Sequence, residues 1–189
     1  MIFNPEKHRR RSVRLRGYDY SQPGAYFVTI CSWLRGSTFG EIINSKMELN
    51  EYGLVVEREW FNNVNVRTNI ELDQFIIMPN HVHCILIINR RGEVASPLNN
   101  IQQTLSKGGE TPPLHKPTLG QIVAYFKYMT TKQINMIRNT PGRPVWQRNY
   151  YEHIIRNEIE LNKIREYIRD NPLRWAFDKD NPLNIQVDP

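Results

Sequence analysis

Two histidines one residue apart are the part of this sequence whose type and spacing suggest chemistry. His81 and His83 stand in the segment MPNHVH at 78–83, directly ahead of an apolar run at 84–88. Side chains alternate between the two faces of a β-strand, so both imidazoles point to one face while Val82 points to the other. Two adjacent imidazoles form half of a divalent-cation site. The alternative is a pair of hydrogen-bonded structural histidines, and the spacing alone does not choose between them.

The residues on either side of the pair predict how it is held. Two apolar runs, Leu72–Met78 and Val82–Ile88, are separated by Pro79-Asn80, a pattern typical of a tight hairpin. The histidines then lie at the start of a strand, next to a turn, where a ligand can reach them. That strand is apolar on both faces beyond His83, which indicates a central position in its sheet.

The remaining periodicity predicts an α+β fold. Further elements are expected as a strand over 25–31, a hairpin across 39–49, helices over 51–63 and 119–137, and a strand over 151–156. Asn157, with Glu160 as its reciprocal acceptor, is expected to begin a last helix that ends near Asn171, ahead of Pro172. This order is that of a ferredoxin-like βαββαβ sandwich with an antiparallel central sheet and an added C-terminal helix. The first and third strands of that core are expected at the centre of the sheet.

Length and composition indicate a single domain. The chain has 189 residues, 40% of them apolar, which suffices for one core. We expect a basic N-terminal arm at 1–24, one domain at 25–177 with a flexible insertion at 89–117, and a tail at 178–189. No stretch approaches the roughly 20 apolar residues of a membrane span, and no signal peptide is visible, so a cytoplasmic protein without membrane contact is expected. Cys31 and Cys84 lie in apolar runs typical of buried thiols.

The charge balance points to a polyanionic partner. Lys and Arg outnumber Asp and Glu by 25 to 19, which gives a net charge of +6. The basic residues concentrate near the N-terminus and in the C-terminal third, where aromatic residues are interleaved with them. Such a pattern is typical of nucleic-acid binding, although salt-bridged helices produce it too.

The last helix offers a partner for the histidines. At 100° per residue, Leu161, Ile164 and Ile168 form its apolar stripe, with Tyr167 about 90° and Asn171 about 50° to one side. The tyrosine hydroxyl and the amide are therefore neighbours that could both reach a metal-bound phosphate. A packing tyrosine and a helix-ending asparagine are the structural alternative, and four other tyrosines in polar or basic surroundings compete for a chemical role: Tyr125, Tyr128, Tyr150 and Tyr151.

Three segments together carry a family resemblance. MPNHVH at 78–83, VWQRNYYEHIIR at 145–156 and EYIRDNPLR at 166–174 occur in this order, within a similarity that runs from about Val13 to Ala176. Together they resemble the single-tyrosine HUH transposases, which have the IS200-like fold, and within them the REP-associated tyrosine transposases.

The resemblance implies a DNA-nicking and strand-transfer enzyme. By this resemblance, the chain binds hairpin-forming single-stranded DNA and cleaves it by transesterification. His81 and His83 would hold Mg²⁺ or Mn²⁺, Tyr167 would attack to leave a 5′-phosphotyrosine link and a free 3′-OH, and Asn171 is the candidate third ligand. Insertion-sequence relatives work as dimers and this branch includes monomers, so monomer and homodimer stay open.

Candidate DNA contacts follow from charge and aromaticity. Trp146 is a candidate base-stacking platform or a core anchor, and the candidate phosphate contacts are Arg9, Arg10, Arg11, Arg14, Arg16, Arg148, Arg165, Arg169 and Arg174. Two other functions stay open at this point: a catalytically silent, structure-specific DNA-binding protein, and a metal-dependent hydrolase that uses activated water.

Overall fold

The computed structural model describes residues 15, 17–89, 117–178 and 180–184. Its strands are β1 (Gly24–Cys31), β2 (Gly40–Ile43), β3 (Lys46–Leu49), β4 (Ile70–Met78), β5 (His81–Ile88) and β6 (Tyr151–Ile155). Its α-helices are α1 (Glu51–Val66), α2 (Leu119–Ile137) and α3 (Glu158–Arg174), and two short 3₁₀ turns follow at Trp175–Phe177 and Pro182–Asn184.

The main sheet has the predicted ferredoxin-like order. Four strands lie in the order β4-β5-β1-β6, and every neighbouring pair is antiparallel, while β2 and β3 form a separate hairpin. The central strands are therefore β1 and β5, as predicted. Their register pairs Thr29 with His83 and Cys31 with His81, so the histidines lie at the end of β1. The expected βαββαβ sandwich is confirmed.

One face of the sheet packs against α1 and α2 and forms the main core. From β5 this face takes Val82, Cys84 and Leu86, all at most 1% exposed. Trp60 of α1 stacks on Phe75 of β4, with ring centroids 4.9 Å apart. Helix α2 adds an apolar stripe of Leu119, Ile122, Val123 and Phe126. Burial of this face supplies most of the fold's hydrophobic stabilisation.

The opposite face is covered by α3 and is less apolar. A small cluster joins Ile85 of β5, Ile155 of β6 and Ile168 of α3. The same face carries both histidines, because they share the alternation of Ile85. The added helix α3 therefore lies across the face of the sheet that carries both histidines.

Both ends of α3 differ from the prediction. Asn157 caps the helix by accepting from the Glu160 amide, but the Glu160 carboxylate accepts from the Arg156 amide rather than from Asn157. The helix also continues through Pro172 to Arg174. Proline removes one hydrogen bond and costs about 3 kcal/mol inside a helix. Here Asn171 and Trp175, at most 8% exposed, are buried on either side of Pro172, and that burial outweighs the local preference.

Segments next to the predicted domain boundaries contact the core. Tyr18 and Tyr20 pack on Tyr26 of β1, with ring centroids 6.5 and 6.1 Å from it. At the other end, the Asp180 carbonyl accepts a hydrogen bond from Asn80. The predicted arm up to residue 14, nearly all of the predicted insertion and the last five residues lie outside the described residues. Within the described part of the chain, no helix has the length and apolarity needed to cross a membrane.

Candidate active site

The two histidines converge on one point at the α3 face. Their Nε2 atoms are 3.0 Å apart, and the side chains are 1% and 5% exposed. Two ligands in adjacent positions around an octahedral ion, each about 2.1 Å from it, lie about 3.0 Å apart. A spacing of 3.0 Å is therefore compatible with both rings binding one cation such as Mg²⁺ or Mn²⁺, and it is also that of a hydrogen bond between the two rings.

Asn80 determines the proton position on His81. The Asn80 Nδ2 donates to the carbonyls of Arg35 and Asp180, at 2.7 and 2.6 Å, so its Oδ1 is the atom that faces His81 Nδ1 at 2.8 Å. An amide oxygen only accepts, so His81 carries its proton on Nδ1. The Nε2 lone pair of His81 is therefore directed at His83.

Thr29 plays the matching role for His83. Its Oγ1 lies 2.8 Å from His83 Nδ1, and a hydroxyl can donate or accept. When Thr29 donates, His83 Nε2–H can bond to His81. When Thr29 accepts, both Nε2 lone pairs are available to a cation. A carbonyl or hydroxyl partner on the second ring nitrogen is the usual support of a metal-binding histidine.

Burial keeps both imidazoles neutral. It lowers the pKa of His81, with partial opposition from the charges of Asp180 and Asp178. Burial also lowers the pKa of His83 well below its ordinary value, and the neighbouring His81 adds to the shift. Neutral imidazole is the form that binds metals, so both rings are in the form that a cation would need.

Tyr167 of α3 is the tyrosine that reaches the pair. Its hydroxyl lies 3.4 Å from His83 Nε2, and its ring packs on His83 with centroids 5.2 Å apart. Phe27 of β1 holds both rings, stacking on His83 and meeting Tyr167 edge to face. Burial raises the pKa of Tyr167; a hydrogen bond from Asn171 acts the other way, while Asp178 and Asp180 raise it further. The resting side chain is therefore a phenol.

The buried amide of Asn171 fits a metal ligand. Asn171 is 2% exposed, and its Oδ1 has no hydrogen-bond partner among the described residues. A buried polar atom without a partner costs about 1–3 kcal/mol, so such an atom calls for an explanation. An amide oxygen is a suitable ligand for Mg²⁺ or Mn²⁺. No cluster of three His, Cys, Asp or Glu side chains with metal-binding geometry occurs in the described part of the chain, so a third protein ligand here would have to be of another type.

The arginines predicted to contact phosphates differ in their exposure and in their ion pairs. Arg174 lies close enough to Tyr167 for its charge to lower the pKa of the phenol. Arg148 is exposed on the loop before β6. Arg165 instead forms an ion pair with Asp73 of β4, with Nε and Oδ1 3.0 Å apart, and Arg169 pairs with the adjacent Asp170 at 3.1 Å. Of these four arginines, Arg174 is the one whose charge acts on Tyr167. Arg9, Arg10, Arg11, Arg14 and Arg16 lie outside the described residues.

Trp146 lies in the core and not on a binding surface. It is 6% exposed, its Nε1 donates to Thr130 of α2 at 2.7 Å, and its ring packs on Phe39 and Phe126. Of the two roles considered for Trp146, the structure supports the core anchor, because a buried indole offers no free face to a base.

Sequence reasoning missed the residues that orient the histidines. Asn80 directly precedes His81. The sequence pattern assigned Asn80 to the turn alone and did not predict its hydrogen bond to His81. Thr29 and Phe27 carry no local signal, because their nearness to His83 comes from the pairing of β1 with β5.

Comparison with known protein sequences identifies a relative of this chain. No family model matches the chain. A protein of Haemophilus influenzae, named only as an uncharacterized protein, is 40% identical over 179 residues, which span 94% of this chain and 96% of that protein. The chain belongs to the family of that protein.

A solved structure extends the comparison to the fold. The structure of the REP-associated tyrosine transposase bound to a REP hairpin superposes with a TM-score of 0.51 at 16% identity, covering 88% of this chain and 76% of that one. The chain therefore has a transposase-like fold, as its sequence resemblance predicted.

Proposed function

We propose that this protein is a metal-dependent transesterase that cleaves and rejoins single-stranded DNA next to a hairpin. The observation that carries the proposal is the placement of the Tyr167 hydroxyl 3.4 Å from His83 Nε2, where His83 itself faces His81. A nucleophile and a candidate cation site thus share one surface of the protein. The hairpin-bound transposase of similar fold and the basic charge of this chain support a DNA substrate.

The proposed chemistry exchanges one phosphodiester for another. The Tyr167 oxygen forms a bond to the phosphorus while the bond from phosphorus to the 3′-oxygen breaks. The phenolic proton is released, and the leaving 3′-oxygen takes up a proton, so the products are a 5′-phosphotyrosine and a free 3′-OH. Attack by a 3′-OH on the phosphotyrosine reverses the step, so rejoining needs no external energy source.

The side chains have distinct parts in this scheme. Phe27 and α3 hold the tyrosine ring in place, so its hydroxyl is positioned before DNA binds. His81, His83 and Asn171 would hold the cation. Mg²⁺ or Mn²⁺ held there would polarise the phosphate and stabilise the departing oxygen. Arg174, whose charge acts on the phenol, would contact the DNA backbone.

Covalent capture tests the nucleophile. Wild type, Tyr167→Phe and Tyr151→Phe are incubated with Mn²⁺ and a DNA hairpin oligonucleotide that has unpaired flanks on both sides, with a label at its 3′ end. Tyr151 is a matched control, because it packs on the same Phe27 but has no described contact with the histidines. Wild type and Tyr151→Phe should form a denaturation-resistant adduct, and Tyr167→Phe should form none.

Each other outcome has a definite meaning. An adduct in Tyr167→Phe that is lost in Tyr151→Phe would assign the nucleophile to Tyr151. Free cleaved ends without an adduct in wild type would support a hydrolase. Hairpin binding without cleavage under any metal condition would support the catalytically silent DNA-binding protein.

Metal binding tests the ligand set independently of DNA. Calorimetric titration with Mn²⁺ should give a single site in wild type, loss of that site in His81→Ala, and weaker binding in Asn171→Leu. Asn181→Leu is the control, since it removes an equally buried amide that bonds to Trp175 instead. Equal Mn²⁺ affinity in wild type and Asn171→Leu would exclude Asn171 as a ligand.

A further inference from the structure

Trp33 differs from the other tryptophans of the chain. Of the four, Trp60, Trp146 and Trp175 are at most 8% exposed, whereas Trp33 is 54% exposed. The next residue, Leu34, is 68% exposed. Exposing an indole forgoes a large gain from burial, and such residues are enriched where a protein meets a partner.

Backbone hydrogen bonds place residues 32 and 33 at the histidine end of the sheet. The Ser32 amide donates to the Asn80 carbonyl at 2.8 Å, and the Trp33 amide donates to the Val145 carbonyl at 2.7 Å. Asn80 is the residue that orients His81, so Trp33 follows directly on a segment bonded to the proposed active site. An exposed aromatic side chain on a hydrogen-bonded backbone segment suits a stacking platform.

A small cavity is lined by two near neighbours of Trp33 in the chain, Ser32 and Arg35. It measures about 60 Å³ and is lined by polar and charged groups: Cys31, Ser32, Arg35, Asn80, His81, Gln147 and Asp180. Arg35 is exposed and forms no salt bridge with the described residues, so its charge is available to an anion. Asp180 and Gln147 offer acceptors, and Gln147 also a donor, to the polar edge of a ring.

Trp33, Arg35 and the polar cavity together suit an unpaired nucleotide. An aromatic face, a cation and a polar recess at one place match a stacked base, its phosphate and its hydrogen-bonding edge. Asp180 disfavours a bare anion inside the recess, so the base edge and not the phosphate would enter it.

We propose that Trp33, Arg35 and the cavity at His81 form a subsite for one unpaired nucleotide that flanks the scissile phosphate. This inference rests on the proposed function, because it assigns the site's own substrate a second point of contact. Trp33 stacks on the base, and Arg35 contacts its phosphate. Gln147 and Asp180 read the exposed edge of that base.

Fluorescence makes the stacking step directly observable. Three tryptophans are buried, so a change caused by DNA stacking should come from Trp33. In the Tyr167→Phe background, which prevents cleavage, the hairpin with its unpaired flank should quench the emission. Trp33→Phe should bind the same DNA with most of the affinity but without the quenching, because phenylalanine keeps a stacking face.

Affinity measurements complete the test. By fluorescence anisotropy with a labelled hairpin, Trp33→Ala should bind roughly 5- to 150-fold more weakly, the effect expected for one stacked base. Phe61→Ala is the control, since Phe61 is a 55% exposed aromatic on α1, across the sheet from the site. An abasic nucleotide at one flank position should cause the same loss in wild type and no further loss in Trp33→Ala.

The result can overturn this inference without touching the proposed function. Unchanged binding in Trp33→Ala, or full quenching in Trp33→Phe, would refute the subsite even if wild type forms the tyrosine adduct. If Trp33 governs binding and no adduct forms in wild type, the subsite stands and the transesterase proposal fails.

Discussion

The two faces of the main sheet differ in composition although both draw on the same strand: one forms the main core, and the other carries the candidate site. The face toward α1 and α2 takes Val82, Cys84 and Leu86 from β5, and nearly everything around them is apolar. The face toward α3 takes His81 and His83 from the same strand, set among hydrogen bonds and a half-buried tyrosine. Since successive side chains of a strand point to opposite faces, one β-strand can serve both tasks. The division implies that substitutions on the two faces should affect different measurements.

The largest expected effect is on activity, from the α3 face. His83→Ala should reduce Mn²⁺-dependent adduct formation to background, a loss of at least about 100-fold, because it removes a proposed metal ligand next to the proposed nucleophile. Thermal unfolding should show a folded protein. His153→Ala, which removes a histidine of the same sheet that bonds to Glu160 instead, should keep its activity. Equal losses in both variants would contradict a special role for His83.

The next effect is on stability, from the α1 and α2 face. Leu86→Ala should lower the free energy of unfolding by about 2–5 kcal/mol, because Leu86 is 1% exposed in the main core. Urea denaturation measures this, and the adduct yield per folded molecule should stay near that of wild type. The control Ile159→Ala, at a position 72% exposed on α3, should change stability little. A large drop in specific activity in Leu86→Ala would show that the two faces are not independent.

A pair of threonines sharpens the comparison. Thr29→Val removes the hydroxyl that supports His83, so Mn²⁺ affinity should fall roughly 10- to 100-fold with little change in stability. Thr130→Val removes the hydroxyl that bonds to Trp146 on the other face and should cost about 1–3 kcal/mol of stability with Mn²⁺ affinity unchanged. Calorimetry and urea denaturation of both variants test this. The reverse pattern would contradict the division.

The smallest expected effect is on stability, from the ion pair between Arg165 of α3 and Asp73 of β4. The Arg165 guanidinium lowers the pKa of Asp73, so their ion pair contributes stability above the ordinary aspartate pKa of about 4 and loses that contribution as the pH falls through the lowered value. Asp73→Asn should therefore cost about 1 kcal/mol at pH 7, and the difference from wild type should shrink toward pH 3. Asp170→Asn, beside the exposed Arg169, is the control. A stability gap that is constant with pH would argue against the pair.

Much of the fold and part of the site follow from local sequence patterns. Alternation at 81–88 correctly places both histidines on one face, and helical spacing places Tyr167 and Asn171 on one edge of α3. Local preference failed at Pro172, where the helix continues because burial of Asn171 and Trp175 outweighs the proline cost. At Trp146 it left two roles open, since the same aromatic residue among basic neighbours suits either a surface or a core, and only packing distinguishes the two.

By itself, the sequence determined the order of the elements, the shared face of the histidines and the pairing of a tyrosine with an amide one helical turn apart. These are short-range properties, set by the periods of strand and helix. The tertiary structure alone decided that Tyr167 meets His83, that Asn80 and Thr29 orient the two imidazoles, and that Trp33 rather than Trp146 is the tryptophan left exposed. Those relations join residues far apart in the chain, and they depend on how β1, β5 and α3 pack together, which no local pattern specifies.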